Sequence, residues 1–498
     1  MKKTPRAHQI ETLSLLRQSL SSGKRRPIIQ LPTGAGKTFI AAMIVEGALA
    51  KGNRVIFVVP ALSLIDQTLQ AFYEEGITEV GVIQANHHMT DYYKPVQVAS
   101  IQTLTTRMAR NDKFKIPDAQ VVVIDECHRD YTFLKAWMQI PGWERVIFIG
   151  LSATPWTKGL GKHWDDLIIG ETTQGLIDKG ILTPFRVFAA AHPDLKGVKT
   201  VAGDYHEGQL AEVMGVKSLV AGVVETWLAK GENRPTFCFA VDCAHAQKLQ
   251  LEFEQAGVAC GYIDAYTERE DRQHIKAAFE HGDVKVVCSV GTMTTGIDWD
   301  CRCIIFARPT KSEMLYVQMI GRGLRTAPGK ENCLILDHAD NTIRLGFVTD
   351  IHHQELNTGK KENGVEEKKP VKPKLPKECP SCTYLKPVGV HKCPNCGFEP
   401  VKPSNVQTID GELVEYTGGK QRLKKHEYTM PEKQSFYSGL LHIEKDKGYK
   451  PGWAANQYRE KFKVWPNQLN KVSHYPSPEV SNYVRSRMIA YAKSKRAS

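Results

Sequence analysis

The chain has 498 residues, of which 42% are hydrophobic and 24% are charged. This composition is typical of a globular protein, and the length is sufficient for two or three hydrophobic cores. No apolar run reaches the ~18 residues of a membrane helix, and no apolar segment follows the basic N-terminal stretch, so we expect neither a membrane span nor a signal peptide. The sequence therefore predicts a cytoplasmic protein.

The net charge is +12, and the excess of Lys and Arg over Asp and Glu lies in residues 351–498. A basic region attached to a neutral body favours a polyanionic partner, of which nucleic acid is the simplest. A solvated Lys-rich tail is the alternative, and the charge alone does not separate the two. Eight of the twelve Cys residues are scattered, mostly in or beside apolar runs, where a free thiol behaves as a small hydrophobic side chain.

Residues 1–350 alternate short β-branched runs with segments of helical periodicity, such as 38–52. A first set of buried strands is predicted at 27–31, 54–60, 121–125 and 145–150. A second set is predicted at 235–240, 284–290, 303–308 and 333–338. Strands that alternate with helices indicate a parallel sheet covered by helices, and two sets indicate two α/β domains that meet between positions 180 and 220.

The stretch LPTGAGKT, residues 31–38, follows the first predicted strand and begins a predicted helix. Backbone N–H groups at a helix N-terminus bind phosphate, and the glycines at positions 34 and 36 allow a close approach. Lys37 can contact the β- and γ-phosphates of a nucleotide, and Thr38 can place its hydroxyl on Mg²⁺. Leu31 stands where the strict phosphate-loop pattern has Gly, so the motif is a variant of that pattern.

The stretch VVVIDECHRD, residues 121–130, ends a buried strand with two acids. Because parallel sheets bind ligands at the carboxyl ends of their strands, Asp125 and Glu126 are expected at the same edge as Lys37. Asp125 is predicted to hold the Mg²⁺, directly or through water, and Glu126 to polarise the water that attacks the γ-phosphate. Without Lys37, a solvated acidic strand end would be the simpler interpretation.

Lys, Glu and Pro dominate residues 357–378, which is typical of a linker. CPSC and CPNCG follow, with the spacing C-x₂-C-x₁₀-C-x₂-C. Pairs of thiolates two residues apart bind one side of a tetrahedral zinc ion, and four thiolates leave no open position. The sequence therefore predicts a closed structural zinc site, to which His391 is surplus. The predicted ligands are Cys379, Cys382, Cys393 and Cys396.

The C-terminal region is predicted to contain a β-hairpin over 405–416, which turns at Asp410-Gly411, and then helices. Aromatic residues alternate with Lys and Arg over 447–466, a pattern that suits nucleic-acid binding or a small helical core. We expect Trp453, Ala454, Tyr458 and Phe462 to form a core, with Trp465 as a further aromatic residue, and the basic face to contact nucleic acid.

Four motifs resemble, in order, those of superfamily 2 helicases of the DExH branch: LPTGAGKT, VVVIDECHRD, GLSATP (150–155) and YVQMIGRGLR (316–325). Residues 307–341 are similar in particular to RadD-like bacterial and phage DNA helicases, which also join a helicase core to C-terminal cysteine clusters. The resemblance implies two tandem RecA-like parallel-sheet domains, then a small zinc ribbon and a basic helical C-terminal region. The implied limits are 1–185 and 186–350 for the two domains, 351–378 for a charged linker, 379–400 for the ribbon and 401–498 for the C-terminal region.

The resemblance also implies roles for individual residues. The implied catalytic residues are Lys37, Asp125, Glu126 and two arginine fingers from the second domain, Arg322 and Arg325. The implied ATP contacts are Gln9 at the adenine edge, Thr33, Gly34, Ala35, Gly36, Lys37, Thr38 and Asp298. The implied residues that couple hydrolysis to domain movement are His128, Ser152, Thr154, Gly296 and Gln318. The implied nucleic-acid contacts are Ser63, Ser100, Gln102, Thr103 and Thr294.

The segment VVPALSLIDQ, residues 58–67, lacks the basic residue that many of these helicases have after Pro60, so contacts there would depend on backbone amides and Ser63. The resemblance implies an ATP-dependent DNA helicase or translocase of a bacterium or a phage-infected cell. It would use ATP, Mg²⁺ and Zn²⁺ and act on single-stranded or branched DNA in repair, recombination or replication. The alternatives are an RNA helicase and a zinc-bearing nucleic-acid binding protein with an inactive core. A restriction motor is a further alternative, although the C-terminal region has no nuclease signature.

Overall fold

The structure is a computed structural model that describes residues 1–84, 87–110, 115–129, 132–189, 192–294, 298–359, 375–399 and 428–494. The chain forms two compact units, Met1–Lys402 and Pro403–Ser498. Among the helices of the described residues, none combines the length and the apolar composition that crossing a membrane requires.

A seven-stranded parallel sheet begins the first unit. Its strands are β1 (Pro27–Gln30), β2 (Val55–Val59), β3 (Val80–Ile83), β4 (Val96–Ser100), β5 (Val121–Asp125), β6 (Ile147–Ser152) and β7 (Asp166–Ile169). They lie in the order β3-β4-β2-β5-β6-β1-β7, so β1 and β5 flank β6. The four strands predicted in this region are confirmed as β1, β2, β5 and β6. Because β1 and β5 are parallel and close, the loops that follow them meet at one edge.

A second parallel sheet follows in the same unit. The next strands of the chain are β8 (Phe185–Ala189), β9 (Thr200–Val201), β10 (Asp204–Tyr205), β11 (Thr236–Phe239), β12 (Cys260–Ile263), β13 (Val286–Ser289), β14 (Cys303–Phe306) and β15 (Cys333–Asp337). Six of them form the sheet in the order β12-β13-β11-β14-β15-β8, and β9 pairs with β10 in an antiparallel hairpin. The four strands predicted for the second set are confirmed, which gives the two RecA-like parallel-sheet domains.

Twelve α-helices accompany these sheets within the described residues of the first unit. They are α1 (Ala7–Ser21), α2 (Lys37–Leu49), α3 (Ile65–Glu74), α4 (Ile101–Arg110), α5 (Thr132–Trp137), α6 (Thr173–Asp178), α7 (Glu207–Met214), α8 (Lys217–Lys230), α9 (Cys243–Gln255), α10 (Arg269–His281), α11 (Glu313–Gly323) and α12 (Asn341–Leu345). α2 begins directly after the phosphate-binding loop, and α11 contains most of the motif YVQMIGRGLR. One hydrophobic cluster includes Leu31 and Ala35 from the loop and Ile320 and Leu324 from the region of α11, so the two domains share a core.

The cysteine cluster packs against the edge of the second sheet. It contains a short antiparallel pair, β16 (Lys377–Glu378) and β17 (Leu385–Lys386). The backbone N–H of Ala189 in β8 donates a 3.0 Å hydrogen bond to the carbonyl of Thr383. The rings of Phe188 and Tyr384 meet edge to face at 5.6 Å. The ribbon thus belongs to the first unit, and the described ends of the predicted linker, 351–359 and 375–378, lie in that unit as well.

The second unit is a bundle of three described helices, α13 (Met430–Asp446), α14 (Trp453–Phe462) and α15 (Pro478–Ser494). Its buried core consists of Phe436, Tyr437, Leu440, Ala454, Tyr458, Val480 and Val484. Trp453 and Phe462 are partly buried against that core. The helical C-terminal region and its aromatic core are therefore confirmed. The predicted hairpin at 405–416 lies outside the described residues.

Candidate active site

The phosphate-binding loop connects β1 to the N-terminus of α2. Gly34 and Gly36 have φ angles of +87° and +86°, a backbone conformation that favours glycine. A Cβ atom on Gly36 would lie 2.5 Å from Nε2 of Gln9, so a side chain at this position would displace Gln9. Thr38 is exposed in the first turn of α2. The loop therefore offers backbone N–H groups for phosphate and the exposed hydroxyl of Thr38 for a cation.

Gln9 lies beside this loop, buried on α1. Its Nε2 donates a 3.4 Å hydrogen bond to the carbonyl of Ala35, and its Oε1 accepts one of 2.9 Å from the backbone N–H of Arg6. Nε2 of His8 lies 3.0 Å from the same Ala35 carbonyl, a contact that the sequence did not suggest. Gln9 thus lies next to the loop, and its contact with adenine stays a prediction.

Lys37 lies at the start of α2 and points along the loop. Its Nζ donates a 3.1 Å hydrogen bond to the carbonyl of Leu31. Burial lowers the pKa of Lys37, while the negative charges of Glu126 and Asp125 oppose this effect. A largely buried cation near two acids is held where the phosphates of a nucleotide would be expected.

Asp125 and Glu126 end β5, as the sequence predicted. Glu126 has a φ angle of +49°, which is rare for a residue with a side chain, and its backbone N–H donates a 3.0 Å hydrogen bond to Oδ1 of Asp125. Burial and the neighbouring charge of Glu126 raise the pKa of Asp125 to about 7. Burial alone would raise the pKa of Glu126, but a hydrogen bond from His128 and the charge of Lys37 lower it to about 2. The two acids are therefore held in different environments, and oxygen atoms of this kind fit Mg²⁺.

Helix α11 of the second domain lies directly against the phosphate-binding loop. A Cβ atom on Gly321 would lie 2.7 Å from Cβ of Thr33, so this approach requires glycine. Arg322, the next residue, is only 5% exposed. Burial and the charge of Arg325 lower the pKa of Arg322 to about 10, and the charge of Glu126 opposes this effect. Arg322 therefore acts electrostatically on the same acids as Lys37 does.

Arg325 follows α11 and also faces the loop. Its Cγ lies 3.2 Å from the position that a Cβ atom on Gly34 would occupy. Its guanidinium forms a 2.6 Å ion pair with Asp298. The carbonyl of Arg325 accepts hydrogen bonds from Nζ of Lys330 at 2.7 Å and from Oγ1 of Thr183 at 3.2 Å. The sequence did not indicate Lys330 or Thr183, because a cation and a hydroxyl that bind a main-chain carbonyl have no recognisable spacing.

Side chains of the two domains meet directly at His128. Its Nδ1 lies 2.9 Å from Oγ of Ser152 and 3.2 Å from Oε2 of Glu126. Nε2 of Gln318, on α11, lies 3.2 Å from Nε2 of His128 and donates a 3.2 Å hydrogen bond to Oγ1 of Thr154. Four of the five predicted coupling residues thus lie in one connected group.

The predicted nucleic-acid contacts of the first domain lie in the turn after β2, at the last residue of β4 and in the first turn of α4. Ser63 is exposed in a 3₁₀ turn. Oγ of Ser100 donates a 2.9 Å hydrogen bond to Oγ1 of Thr103 and accepts one of 3.1 Å from its backbone N–H. Gln102 is exposed between them. Ser100 and Thr103 are therefore partly engaged with each other at the first turn of α4, and their contact with nucleic acid stays a prediction.

The second sheet has a matching pair at the end of β13. Oγ of Ser289 lies 3.0 Å from Oγ1 of Thr292, with the same S-x-x-T spacing as SIQT at 100–103. We did not predict this pair, although the repeated spacing after a strand was available as a signal. Thr294 lies in the following 3₁₀ turn, and Gly296 lies outside the described residues.

Residues 346–359, which we call the return segment, lead from the second domain back to the first. The ring of His353 stacks on Trp156 at 4.4 Å, and its Nε2 lies 2.8 Å from Oε2 of Glu313 at the start of α11. The carbonyl of Asn357 accepts a 2.9 Å hydrogen bond from the backbone N–H of Gly161, in the connection between β6 and β7. This segment therefore connects Trp156, which follows the SATP motif, to α11. The linker-like composition of the sequence did not predict this connection.

The four predicted zinc ligands come together. The sulfurs of Cys379 and Cys396 are 3.7 Å apart, as are those of Cys382 and Cys393. All four sulfurs lie within 4.8 Å of one another. Two sulfurs bound to one tetrahedral zinc ion at about 2.3 Å would be about 3.8 Å apart. The cluster therefore fits zinc in geometry and in donor type.

Two family models match the chain in the same order as the two sheets. The model described as type III restriction enzyme, res subunit, matches residues 2–157, and the helicase conserved C-terminal domain matches residues 219–327. Most of the first sheet lies within the first match, and the motif that contains Arg322 and Arg325 lies within the second. The two matches follow each other along the chain in the same order as the phosphate-binding loop and α11.

Proteins of two phages and of a yeast are also similar to this chain. The chain is 27% identical to the 51.5 kDa protein of Lactococcus phage (isolate 7-9), over 75% of this chain and 78% of that protein. It is 24% identical to the ATP-dependent DNA helicase uvsW of Enterobacteria phage T4, over 64% of this chain and 66% of that protein. It is 27% identical to the putative ATP-dependent helicase IRC3 of Saccharomyces cerevisiae, over 67% of this chain and 51% of that protein.

A solved fragment of a putative HsdR subunit of a type I restriction enzyme from Vibrio vulnificus YJ016 has the same fold. The TM-score is 0.54 at 19% identity, over 72% of this chain and 67% of that chain. The fold, the two family matches and the helicase relatives lead to one conclusion. This chain belongs to the DExH-type superfamily 2 helicases and is a nucleic-acid-dependent ATPase.

Proposed function

We propose that this protein is an ATP-driven helicase or translocase that moves on DNA, single-stranded or branched, and that it acts on intermediates of repair, recombination or replication. Within its family we assign it to the RadD-like DNA helicases, in the cytoplasm of a bacterium or a phage-infected cell. The observation that supports the motor is the cleft to which both domains contribute. Lys37 and the acids of β5 face Arg322 and Arg325, and the charges of these groups act on one another.

In this proposal the phosphates of ATP lie at the N-terminus of α2, in contact with Lys37 and the loop amides. Thr38 and Asp125 would hold Mg²⁺, which neutralises phosphate charge when it is bound. Glu126 orients the attacking water, and the hydrogen bond from His128 and the charge of Lys37, which lower its pKa, favour the ionised form that this role requires. Arg322 and Arg325 stabilise the charge that develops on the transferred phosphoryl group.

The contact between the domains would couple hydrolysis to movement. Gln318 on α11 contacts both His128 and Thr154, so a shift of Glu126 is transmitted to α11 through His128. Loss of the γ-phosphate removes a shared anion from between Lys37 and Arg322, which favours an open cleft. Repeated closing and opening would move two nucleic-acid contact surfaces relative to each other along one strand.

DNA is favoured over RNA because a relative that is itself named a DNA helicase aligns with 64% of this chain. The loop residues that are predicted to contact nucleic acid carry hydroxyl and amide groups, which suit phosphate and sugar in either polymer. An RNA helicase is therefore the second candidate. In either case binding should be largely independent of base sequence and should weaken with salt.

The test is steady-state ATP hydrolysis by the full chain with single-stranded DNA, forked DNA, single-stranded RNA or no polymer. We expect DNA to stimulate hydrolysis more than RNA, and Lys37→Ala and Glu126→Gln to abolish it. Lys51→Ala is the matched control, because Lys51 is an exposed lysine just beyond the other end of α2. Stronger stimulation by RNA would select the RNA helicase. Absence of hydrolysis with every polymer would select the inactive nucleic-acid binding protein.

A further inference from the structure

An exposed segment without regular secondary structure runs along α13 in the second unit. We call residues 463–475 the aromatic strip. Hydrogen bonds tie it to α13 at successive positions: the backbone N–H of Asn470 donates to Oε1 of Gln434 at 2.8 Å, and that of His474 donates to the carbonyl of Ser438 at 3.3 Å. The strip therefore follows the direction of the helix and is held at a defined place on it.

Two aromatic rings project from the strip into solvent. Trp465 is 46% exposed and Tyr475 is 87% exposed, whereas the core aromatic residue Tyr458 of the same unit is 2% exposed. The guanidinium carbon of Arg459 lies 4.6 Å from the centre of the Trp465 ring. The ring of Tyr475 packs against His442 on α13 at 5.4 Å. Two exposed aromatic rings on one short segment offer flat apolar faces to a binding partner.

The surface around these rings is basic. No Asp or Glu occurs from 461 to 478, and residues 428–494 contain eleven Lys and Arg against five Asp and Glu. Two of these acids are already engaged, since Glu460 pairs with Arg487, and Glu479 lies 3.6 Å from Nζ of Lys461 and accepts a 2.6 Å hydrogen bond from Tyr428. The charge of the strip is therefore not neutralised by its own neighbours.

We propose that the aromatic strip is a binding site for single-stranded nucleic acid, which extends the proposed function by a contact outside the two RecA-like domains. Bases stack on Trp465 and Tyr475, and Lys463 and Lys471 bind the phosphates between them. Unpaired bases expose π-faces that an aromatic side chain can cover, whereas the bases of a duplex are already stacked on each other. The cation over Trp465 and the absence of acids favour a polyanion over an apolar protein surface.

The strip also explains why the aromatic residues of this region divide into two groups. Tyr458 is buried in the helical core, and Trp453 and Phe462 are partly buried against it. Trp465 follows Lys463, whose φ of +62° ends the helix in a left-handed conformation, so the chain leaves the core before Trp465. The same sequence stretch therefore builds a core with its helical part and a binding surface with its extended part.

The test measures binding of fluorescein-labelled oligo(dT), oligo(rU) and a blunt DNA duplex to the full chain, without nucleotide, by fluorescence anisotropy. We expect the double variant Trp465→Ala/Tyr475→Ala to bind oligo(dT) about tenfold or more weakly, because each stacked base contributes appreciably to affinity. The double variant Lys463→Gln/Lys471→Gln should lower the slope of log affinity against log salt by up to about 1.4. Tyr93→Ala is the matched control, since Tyr93 is 92% exposed but precedes β4 in the first domain.

Unchanged oligo(dT) affinity in both double variants would overturn the proposal, as would an equal loss of duplex and single-strand binding. A loss of oligo(rU) binding that matches the loss of oligo(dT) binding supports a site for either single strand. Because no nucleotide is present, an inactive ATPase does not affect the result. Conversely, a chain that hydrolyses ATP normally but shows no effect of the strip variants would leave the motor intact and refute the strip.

Discussion

The two parallel sheets of the first unit have the same architecture but contribute opposite parts of the cleft. The first places Asp125 and Glu126 at the carboxyl end of β5, and Lys37 at the start of α2 after the loop that follows β1. The second contributes through α11 and the residues after it, with Arg322 buried and Arg325 paired to an acid. In each sheet, one strand ends with a serine that contacts the threonine three residues later: Ser100 with Thr103, and Ser289 with Thr292. The difference in function therefore lies in the connections and not in the sheets.

Because of this division, the positive and negative side chains at the cleft are equal in number only when the two domains are together. Three cationic side chains and three carboxylates lie at the cleft: the first domain contributes one cation and two carboxylates, and the second contributes two cations and one carboxylate. Burial lowers the pKa of both Lys37 and Arg322, so each charge depends on the acids nearby. An isolated domain would have an incomplete set of charges and an incomplete site.

The largest effect is expected from removing an arginine of the second domain. Arg322→Ala should lower kcat for DNA-stimulated ATP hydrolysis on the order of 10³-fold, because an arginine finger acts mainly on the transition state. The affinity for a fluorescent ATP analogue should change much less, since the phosphate loop is in the other domain. Single-turnover hydrolysis and equilibrium nucleotide binding measure the two effects separately.

Arg344→Ala provides a matched control for this prediction, because Arg344 lies on α12 of the same domain and bonds Asn341 at 2.8 Å. We expect hydrolysis by that variant to stay within a few-fold of the parent. If Arg322→Ala instead weakened nucleotide binding as strongly as it slowed hydrolysis, Arg322 would be a ground-state contact. The division of roles between the two sheets would then be incorrect.

A smaller effect is expected where the two domains contact each other. Gln318→Ala and His128→Ala should each lower DNA stimulation of hydrolysis by about 10- to 100-fold, because they remove the same contact between the coupling residues. The double variant should be hardly worse than either single variant. An ATPase double-mutant cycle measures this, and additive losses would show that the two residues act separately.

Much of this arrangement could be predicted from the sequence. Lys37 and Asp125 follow β-branched strands, and local patterns of this kind place side chains at a known edge of a parallel sheet. Arg322 lies on α11, but the helix ends at Gly323, so Arg325 follows it and helical spacing alone does not place both arginines on one helix face. That they face Lys37 required the family resemblance, because the contact between domains is made by residues about 285 positions apart, a separation on which periodicity carries no information.

The contacts that were missed share a physical cause. His353 and Asn357 lie within the limits of the predicted charged linker, 351–378, yet His353 contacts Glu313 and the carbonyl of Asn357 accepts a hydrogen bond from Gly161. Thr383 bonds β8 through its carbonyl, and main-chain contacts do not depend on residue type. Composition predicts whether a segment can form its own core, but not whether it packs on a neighbouring core.

The cluster of four cysteines allows the stabilities of the two sheets to be compared. Cys382→Ser should abolish stoichiometric zinc and lower the melting temperature by a few degrees, because the ribbon covers β8 through Thr383 and Tyr384. Hydrogen exchange should increase in β8 and β15 but not in β5. Elemental analysis and exchange mass spectrometry test the two parts, with Cys243→Ser, outside the cluster, as control. Equal loss of protection in both sheets would show that the ribbon stabilises the whole unit.

The smallest effect is expected in the return segment, which joins the two domains outside the cleft. His353→Ala removes both the stack on Trp156 and the contact with Glu313, and should lower kcat/KM for ATP by about two- to tenfold. His353→Phe keeps an aromatic ring on Trp156 without the polar contact, so it should recover part of the loss. His352→Ala is the matched control, because its side chain is exposed next to His353. If His353→Phe behaves like His353→Ala, the contact with Glu313 accounts for the whole effect and the stack on Trp156 contributes nothing. If all three variants match the parent, the cleft closes through α11 without the return segment.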